Sequence, residues 1–121
     1  MRSDLTNKSS NNSKHPVIAS FEQQCAIYNS AQLFQDLEQY IVSLQRESGT
    51  YRALYSRADT LNAASDYRRR MFSADQDFLI AQAVFCQLKN DEAGREIYLS
   101  TAVHLQIVRD MLEGCQNPQN S

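Results

Sequence analysis

The sequence predicts an all-α protein, an antiparallel four-helix up-down bundle that follows a disordered N-terminal tail. Apolar residues recur every three to four positions along most of the chain, which is the period of an amphipathic helix. Three Gly and two Pro in 121 residues leave few of the turn residues that a many-stranded β protein needs. The length of 121 residues and the hydrophobic content of 42% suit one domain with one core.

The predicted domain organisation has three parts. Residues 1–16 are dominated by Ser, Asn and charged side chains, which bury too little apolar surface to offset the entropy of ordering, so we expect a disordered tail. His15 lies in this tail, where no fixed partner is expected for its imidazole. Residues 17–114 carry the apolar periodicity and form the helical bundle domain. Residues 115–121 are polar and are expected to fray.

The first predicted helix begins after Ser20, which has the capping-box spacing to Gln23. Its apolar residues follow helical spacing to about Glu47. An interruption near Asn29 stays open as an alternative, because Ser30 is a residue type that can cap a new helix.

The second predicted helix covers residues 51–72. Gly49 is expected to end the preceding helix and Thr50 to cap the new one. Apolar residues recur every three to four positions in this segment, so its arginines are expected to lie on one amphipathic helix. The segment holds five arginines against two acids, in a chain of formal net charge -2: Arg52, Arg57, Arg68, Arg69 and Arg70.

The third and fourth predicted helices complete the bundle. Ser73 and Gln76 have capping-box spacing, so the third helix is expected to begin at Ala74, and its nearly all-apolar circumference predicts the most buried helix. The fourth helix is expected to end at Gly114. One apolar stripe is predicted along it: Ile97, Thr101, His104, Val108 and Met111. Short connections favour antiparallel neighbours.

The sequence predicts no catalytic, cofactor-binding or metal-ligating residue, and therefore no enzyme. His104 lies on the predicted apolar stripe, so we expect a core or boundary histidine satisfied by a polar neighbour. A phosphotransfer histidine is the sharper alternative, but Gln106, Ile107 and Val108 follow it instead of a lysine and a small residue. No phosphate-binding glycine loop, nucleophile elbow or Glu-x-x-His pair is present.

The arginine-rich segment is the one local bias that predicts function. Part of its charge complements a helix C-terminus, and acids elsewhere in the bundle can pair with it, since residues 73–121 carry seven acids and three basic residues. The functional interpretation is a surface for another, acidic protein, because Arg and Tyr are enriched at interaction hot spots. The residues predicted to bind a partner are Arg52, Tyr55, Arg68, Arg69 and Arg70.

The alternative function is a nucleic-acid-binding transcriptional regulator that uses the Arg-rich second helix. The predicted second helix, a turn at Phe72 and the third helix have the outline of a helix-turn-helix. However, the third helix would be the recognition element, and Asp75 and Asp77 give its first turn a negative charge that repels DNA. The pI of about 5.6 and only three Lys in the chain also favour a protein partner over nucleic acid.

Composition also predicts where the protein acts. Its three cysteines are widely spaced and without a CxxC pair, as is typical of free thiols in a reducing compartment. No apolar stretch approaches the length of a membrane span, and the first residues do not resemble a signal peptide. We therefore expect a cytoplasmic adaptor, regulator or chaperone-like protein with no membrane or cofactor, with a homodimer as one form of its protein-protein interaction.

Overall fold

A computed structural model describes the backbone of residues 15–116 and the side chains of residues 15–114. Within this part of the chain the structure consists of four α-helices joined by short turns. Their bounds are α1 Pro16–Ile27, α2 Ala31–Ser56, α3 Leu61–Leu88 and α4 Glu92–Gln116. The predicted all-α bundle is confirmed. The predicted disordered tail lies outside the described residues, apart from its last two positions.

Helix α1 begins earlier than predicted, at Pro16 rather than after Ser20. His15 is its N-cap, and its Nδ1 atom accepts a hydrogen bond from the backbone N–H of Val17 at 3.1 Å. Proline at the first helical position loses no hydrogen bond, because that N–H would be unpaired in any case. His15 therefore has a fixed structural partner, and Ser20 lies inside the helix, where it accepts a hydrogen bond from Gln24.

The helix interruption near Asn29, which the sequence left as an alternative, is present. Helix α1 ends at Ile27, and Ser30 caps α2 by accepting a hydrogen bond from the N–H of Leu33. The predicted break at Gly49 is wrong, since α2 is 26 residues long and continues past Gly49 to Ser56. Thr50 does not cap a new helix there; its hydroxyl donates to the carbonyl of Arg46 one turn back. Burial of Leu37, Ile41 and Leu44 keeps this helix continuous through a glycine, whose cost in a helix is only about 1 kcal/mol.

The turn between α2 and α3 falls at residues 57–60. Thr60 caps α3 by accepting from the N–H of Ala63 at 3.0 Å. The predicted helix start at Ala74 is wrong, because α3 runs without interruption from Leu61 through Ser73 to Leu88. Its 28 residues make it the longest of the four described helices.

The α3–α4 connection is a Schellman motif followed by an N-cap. Asn90 takes a positive φ of 63°, its N–H donates to the Gln87 carbonyl, and the N–H of Asp91 donates to the Cys86 carbonyl. The Asp91 carboxylate then accepts from the N–H of Gly94. Helix α4 passes through Gly114, where its end was predicted, and reaches Gln116.

Helix α3 is the centre of the bundle, as its predicted burial requires. It runs antiparallel to α2, because Phe34 stacks on Phe85 at one end while Arg70 covers the Tyr51 ring at the other. Helix α3 contacts each of the other three helices, whereas α2 makes at most marginal contact with α4 in the described chain. The main core cluster draws on all four helices: Val17, Phe21, Leu37, Ile41, Leu44, Ile80, Ala81, Ala83, Val84, Leu99 and Ala102.

Helix α1 has only 12 residues, so it covers one end of α3 and α4 and leaves their other end without a fourth helix. At the covered end Ala81, Ala83 and Ala102 are fully buried, and their small side chains let the backbones approach closely. The uncovered end contains the second half of α2, the first half of α3 and the second half of α4. Every residue predicted to bind a partner lies at this end.

Candidate interaction surfaces

The five predicted partner-binding residues do not lie on one helix. Arg52 and Tyr55 are near the end of α2, while Arg68, Arg69 and Arg70 are in α3. Arg57 caps the end of α2. The predicted Arg-rich helix of residues 51–72 is therefore wrong as an element, because the chain reverses direction at residues 57–60. The reversal still leaves all of these arginines at the same end of the bundle.

Arg52 is held by an acid on the neighbouring helix. Its guanidinium lies 3.3 Å from the Asp75 carboxylate, which also accepts a short hydrogen bond from the Ser48 hydroxyl. Ser48 is 7% exposed, so Asp75 satisfies a buried hydroxyl on the face where α2 meets α3. Asp75, predicted to lie in the first turn of the third helix, instead links two helices.

Arg69 and Arg70 both pair with one acid, Asp66, at 3.3 Å and 3.0 Å. Arg70 also lies over the Tyr51 ring, with 5.9 Å between the guanidinium carbon and the ring centroid. A hydrogen bond with Tyr51 and the adjacent Asp66 charge raise the pKa of Arg70. Within residues 15–114, three of the five arginines thus have an acidic partner, so little positive charge is left for a phosphate backbone.

Arg68 differs from its neighbours because it forms no ion pair with any other residue between 15 and 114. Its side chain borders an open groove at the end of the α2–α3 hairpin, together with Tyr55 and Leu61. Leu61 is 89% exposed, the highest value among the exposed large hydrophobic residues of the described chain. Tyr55, Leu61 and Arg68 form the hairpin-end surface.

On its other side Arg68 borders a cleft toward α4, with Phe72 and Arg109 among its lining residues. The cleft holds only about 20 Å³, which is room for a water molecule and far below the roughly 300 Å³ of a typical ligand site. The larger depressions of the described surface, of which the groove at Tyr55 is one, are open to solvent. A flat protein contact suits this surface better than a small-molecule ligand.

A second surface, which the sequence analysis missed, runs along α4. The stripe predicted to enter the core faces outward: Ile97 is 64% exposed, Val108 43% and Met111 65%. Leu99 and Ala102, on the opposite side of the helix, are buried against α3 instead. We define the α4 outer face by its five stripe residues: Ile97, Thr101, His104, Val108 and Met111. The spacing of these residues is four, three, four and three.

His104 lies at the middle of the α4 outer face and is exposed, whereas a core or boundary histidine was expected. Its Nδ1 is 3.0 Å from the carbonyl of Ser100, so a neighbouring polar group does satisfy the ring. Exposure is what a phosphotransfer histidine requires. However, Thr101, Ile107 and Val108 are the residues one turn away, and none carries the positive charge that would stabilise a phosphate.

A polar layer separates the covered end of the bundle from the uncovered end. Gln76 is 4% exposed; its Nε2 donates to Gln106 at 2.7 Å, and its Oε1 accepts a short hydrogen bond from Arg109. Asp77 is the next residue in the chain after Gln76, and burial raises its pKa. The Arg109 charge offsets part of this rise in pKa, and the Glu47 charge adds to it. These groups have mutual partners inside the bundle, as structural residues do.

The described thiols are poor nucleophiles. Burial raises the pKa of Cys25, and burial together with the Asp91 charge raises the pKa of Cys86. Between residues 15 and 114, no three side chains of His, Cys, Asp or Glu come together as a metal site would require. No helix in the described residues has both the length and the apolar character needed to cross a membrane.

Comparison with protein-family models, curated proteins and solved structures found no match to this chain. The fold and the two surfaces are therefore the observations from which a function can be argued.

Proposed function

We propose that this chain is a non-enzymatic, cytoplasmic adaptor or regulator that binds another protein by packing a helix of the partner against the α4 outer face. The supporting observation is the exposure of Ile97, Val108 and Met111 along one line of α4. Ile107, beside this line, is 49% exposed and widens it. Ile107, Val108 and Met111 are neighbours at one end of this line, and exposed apolar residues that cluster on a surface often mark an interaction site.

The spacing of the α4 outer face fits a helix better than an extended peptide. Apolar residues at alternating intervals of four and three form the seam that two helices share when side chains of one insert between those of the other. The seam extends over 15 residues from Ile97 to Met111, and the 14 steps between them span about 21 Å. Helix-in-groove recognition uses anchors of this kind.

The composition of the α4 outer face indicates which kind of partner it would bind. Residues 97–108 contain no Asp, Glu, Lys or Arg, so the α4 outer face selects a partner by apolar contact and shape. The hairpin-end surface is the place where charge would add selectivity. There Arg68 would meet a carboxylate of the partner, and Tyr55 and Leu61 would supply apolar contact.

The proposal is tested by placing a photo-crosslinking amino acid at Met111 in the native cell. Met111 is 65% exposed, so the substitution leaves the core intact, and we expect a defined covalent adduct with a protein. The adduct should disappear when Ile97→Glu is added to the same chain. Val42 is 50% exposed on α2 and provides the matched control position.

Two results would overturn the proposed function. One is a Met111 crosslinking pattern that is indistinguishable from the pattern at Val42. The other is a Met111 adduct that persists unchanged in the Ile97→Glu chain.

A further inference from the structure

We propose that the helix packed on the α4 outer face is α4 of a second copy of this chain, in antiparallel orientation. This inference rests on the proposed function and names its partner. It is carried by the pattern of the face itself, because a two-fold interface requires one surface that complements itself.

Antiparallel pairing matches the first four positions of the α4 seam with themselves, layer by layer, and places Met111 at each end opposite Gly94 of the second copy. When Ile97 faces Val108 of the second copy, the four-three spacing brings Thr101 opposite the second copy's His104, and the same two contacts recur by symmetry. Apolar residues thus meet apolar residues, and polar meets polar. A parallel pair would instead place two His104 rings against each other.

The hydrogen bonds within α4 leave groups available for the central layer. The Thr101 hydroxyl donates to the Ile97 carbonyl, and the Nδ1 of His104 is bonded to the Ser100 carbonyl. Because a carbonyl can only accept, Nδ1 carries the ring proton and Nε2 is an acceptor, so the central pair forms when the second copy's Thr101 hydroxyl turns from its own Ile97 carbonyl toward Nε2. A polar pair inside an apolar seam costs stability but fixes the register.

Charge also allows a second copy, and the contact area sets the strength of the dimer. Two identical faces with net charge would repel each other, but residues 97–108 contain no Asp, Glu, Lys or Arg. The contact is one helix seam, about 21 Å long and about 10 to 12 Å wide, which covers less than the roughly 800 Å² per partner of a standard interface. The predicted dimer is therefore weak, with a dissociation constant in the micromolar range, and it exchanges subunits readily.

Analytical ultracentrifugation of the full chain over a range of micromolar concentrations tests the inference. We expect a reversible monomer-dimer equilibrium, and we expect Ile97→Glu or Met111→Glu to raise its dissociation constant by at least tenfold. Circular dichroism should be unchanged in both variants, because these side chains are 64% and 65% exposed. Val42→Glu, at an exposed apolar position of α2, should leave the dissociation constant unchanged.

A substitution that strengthens the dimer gives a test of the opposite sign. His104→Leu replaces the polar member of the central layer, so the dissociation constant should fall by at least threefold.

The orientation of the two helices is tested in a chain whose native cysteines are replaced by serine. Ile97→Cys chains mixed with Val108→Cys chains should form a disulfide dimer, whereas Ile97→Cys chains alone should not.

Several outcomes would overturn the inference. They are a wild-type chain that stays monomeric at high micromolar concentration, a Val42→Glu effect as large as that of Ile97→Glu, or disulfide formation by Ile97→Cys alone. In the cellular experiment the self-adduct has twice the chain mass of 13.8 kDa. A Met111 adduct with a different protein only would leave the proposed function standing and remove the second copy.

Discussion

Gln76 and Gln106 hydrogen-bond to each other between α3 and α4, with 2.7 Å from Nε2 to Oε1. Gln76 is among the most buried polar residues of the described chain, and both ends of its amide are used, since Oε1 accepts from Arg109. Gln106 in turn donates to Asp110 at 2.9 Å. Four side chains therefore form one continuous line of hydrogen bonds from the interior to the surface.

Gln76→Ala should destabilise the protein by about 1 to 3 kcal/mol, because it opens a small cavity and leaves partners unpaired in a partly buried layer. Gln106→Ala should cost less, since Gln106 is nearer the surface. Urea unfolding followed by circular dichroism measures both. Equal losses in the two variants would mean that the burial of Gln76 carries no special weight.

Asp75→Ala should cost more than Arg52→Ala, although each substitution breaks the same ion pair. Arg52 is 61% exposed in its side chain, so its removal is expected to cost at most about 0.5 kcal/mol. Loss of Asp75 also leaves the buried Ser48 hydroxyl without its acceptor, which adds about 1 to 2 kcal/mol. Thermal unfolding compares the two variants, and adding Ser48→Ala should remove most of the difference.

Two glycine substitutions should have opposite signs. A Cβ at Gly94 would contact the Asp91 carboxylate and lie 2.8 Å from Cys86 Sγ, so Gly94→Ala should destabilise the protein by about 1 to 3 kcal/mol. No atom lies within 4 Å of a Cβ at Gly49, and Gly49→Ala should stabilise α2 by about 0.5 to 1 kcal/mol. Melting temperatures measure both, and a loss at Gly49 would contradict the continuity of α2.

Asp77→Asn should raise stability at pH 7 and change it little at pH 3. Burial raises the pKa of Asp77 in the folded state above its unfolded value of about 3.8. Ionisation of Asp77 therefore destabilises the folded state as the pH rises above that value. The amide removes this penalty. Partial solvent access limits the gain in unfolding free energy to a fraction of a kcal/mol, or on the order of 2 °C in Tm. Thermal melts at both pH values measure it.

Heparin chromatography addresses the alternative of nucleic-acid binding. Asp66 and Asp75 pair with Arg69, Arg70 and Arg52, so we expect no retention at physiological salt. Asp66→Asn frees two arginines and should increase retention at low salt. Strong retention of the wild-type chain that falls steeply with salt would favour the nucleic-acid alternative.

Periodicity predicted the helical class and the central position of α3, but local signals misplaced four helix boundaries: the start of α1, the end of α4 and two positions that lie inside continuous helices. Gly49 and the Ser73–Gln76 pair carry local termination or capping signals, and both lie within continuous helices. Tertiary contacts override these weak signals: Ser48 bonds Asp75, and Gln76 bonds Gln106 instead of capping a helix. The true boundary at Thr60 has a capping residue but no Glu or Gln three positions later.

The inward face of α4 could not be read from its sequence, because apolar residues occupy two sides of the helix. The larger set, from Ile97 to Met111, gave the clearer stripe and was assigned to the core. The structure buries Leu99 and Ala102 instead, since a small residue allows α4 to approach α3 closely. The apolar residues beyond one face of α4 are the sequence signal from which an exposed apolar surface could have been predicted.

The central position of α3 has a consequence for how the chain folds. The α2–α3 and α3–α4 contacts dominate the packing, so neither half of a chain cut within the 57–60 turn keeps a closed interior. Helix α2 alone would have no apolar surface to cover, and α3 with α4 would expose the side chains that Leu37 and Ile41 now cover. Folding and unfolding should therefore proceed as one cooperative transition, with α3 as the element that no fragment can omit.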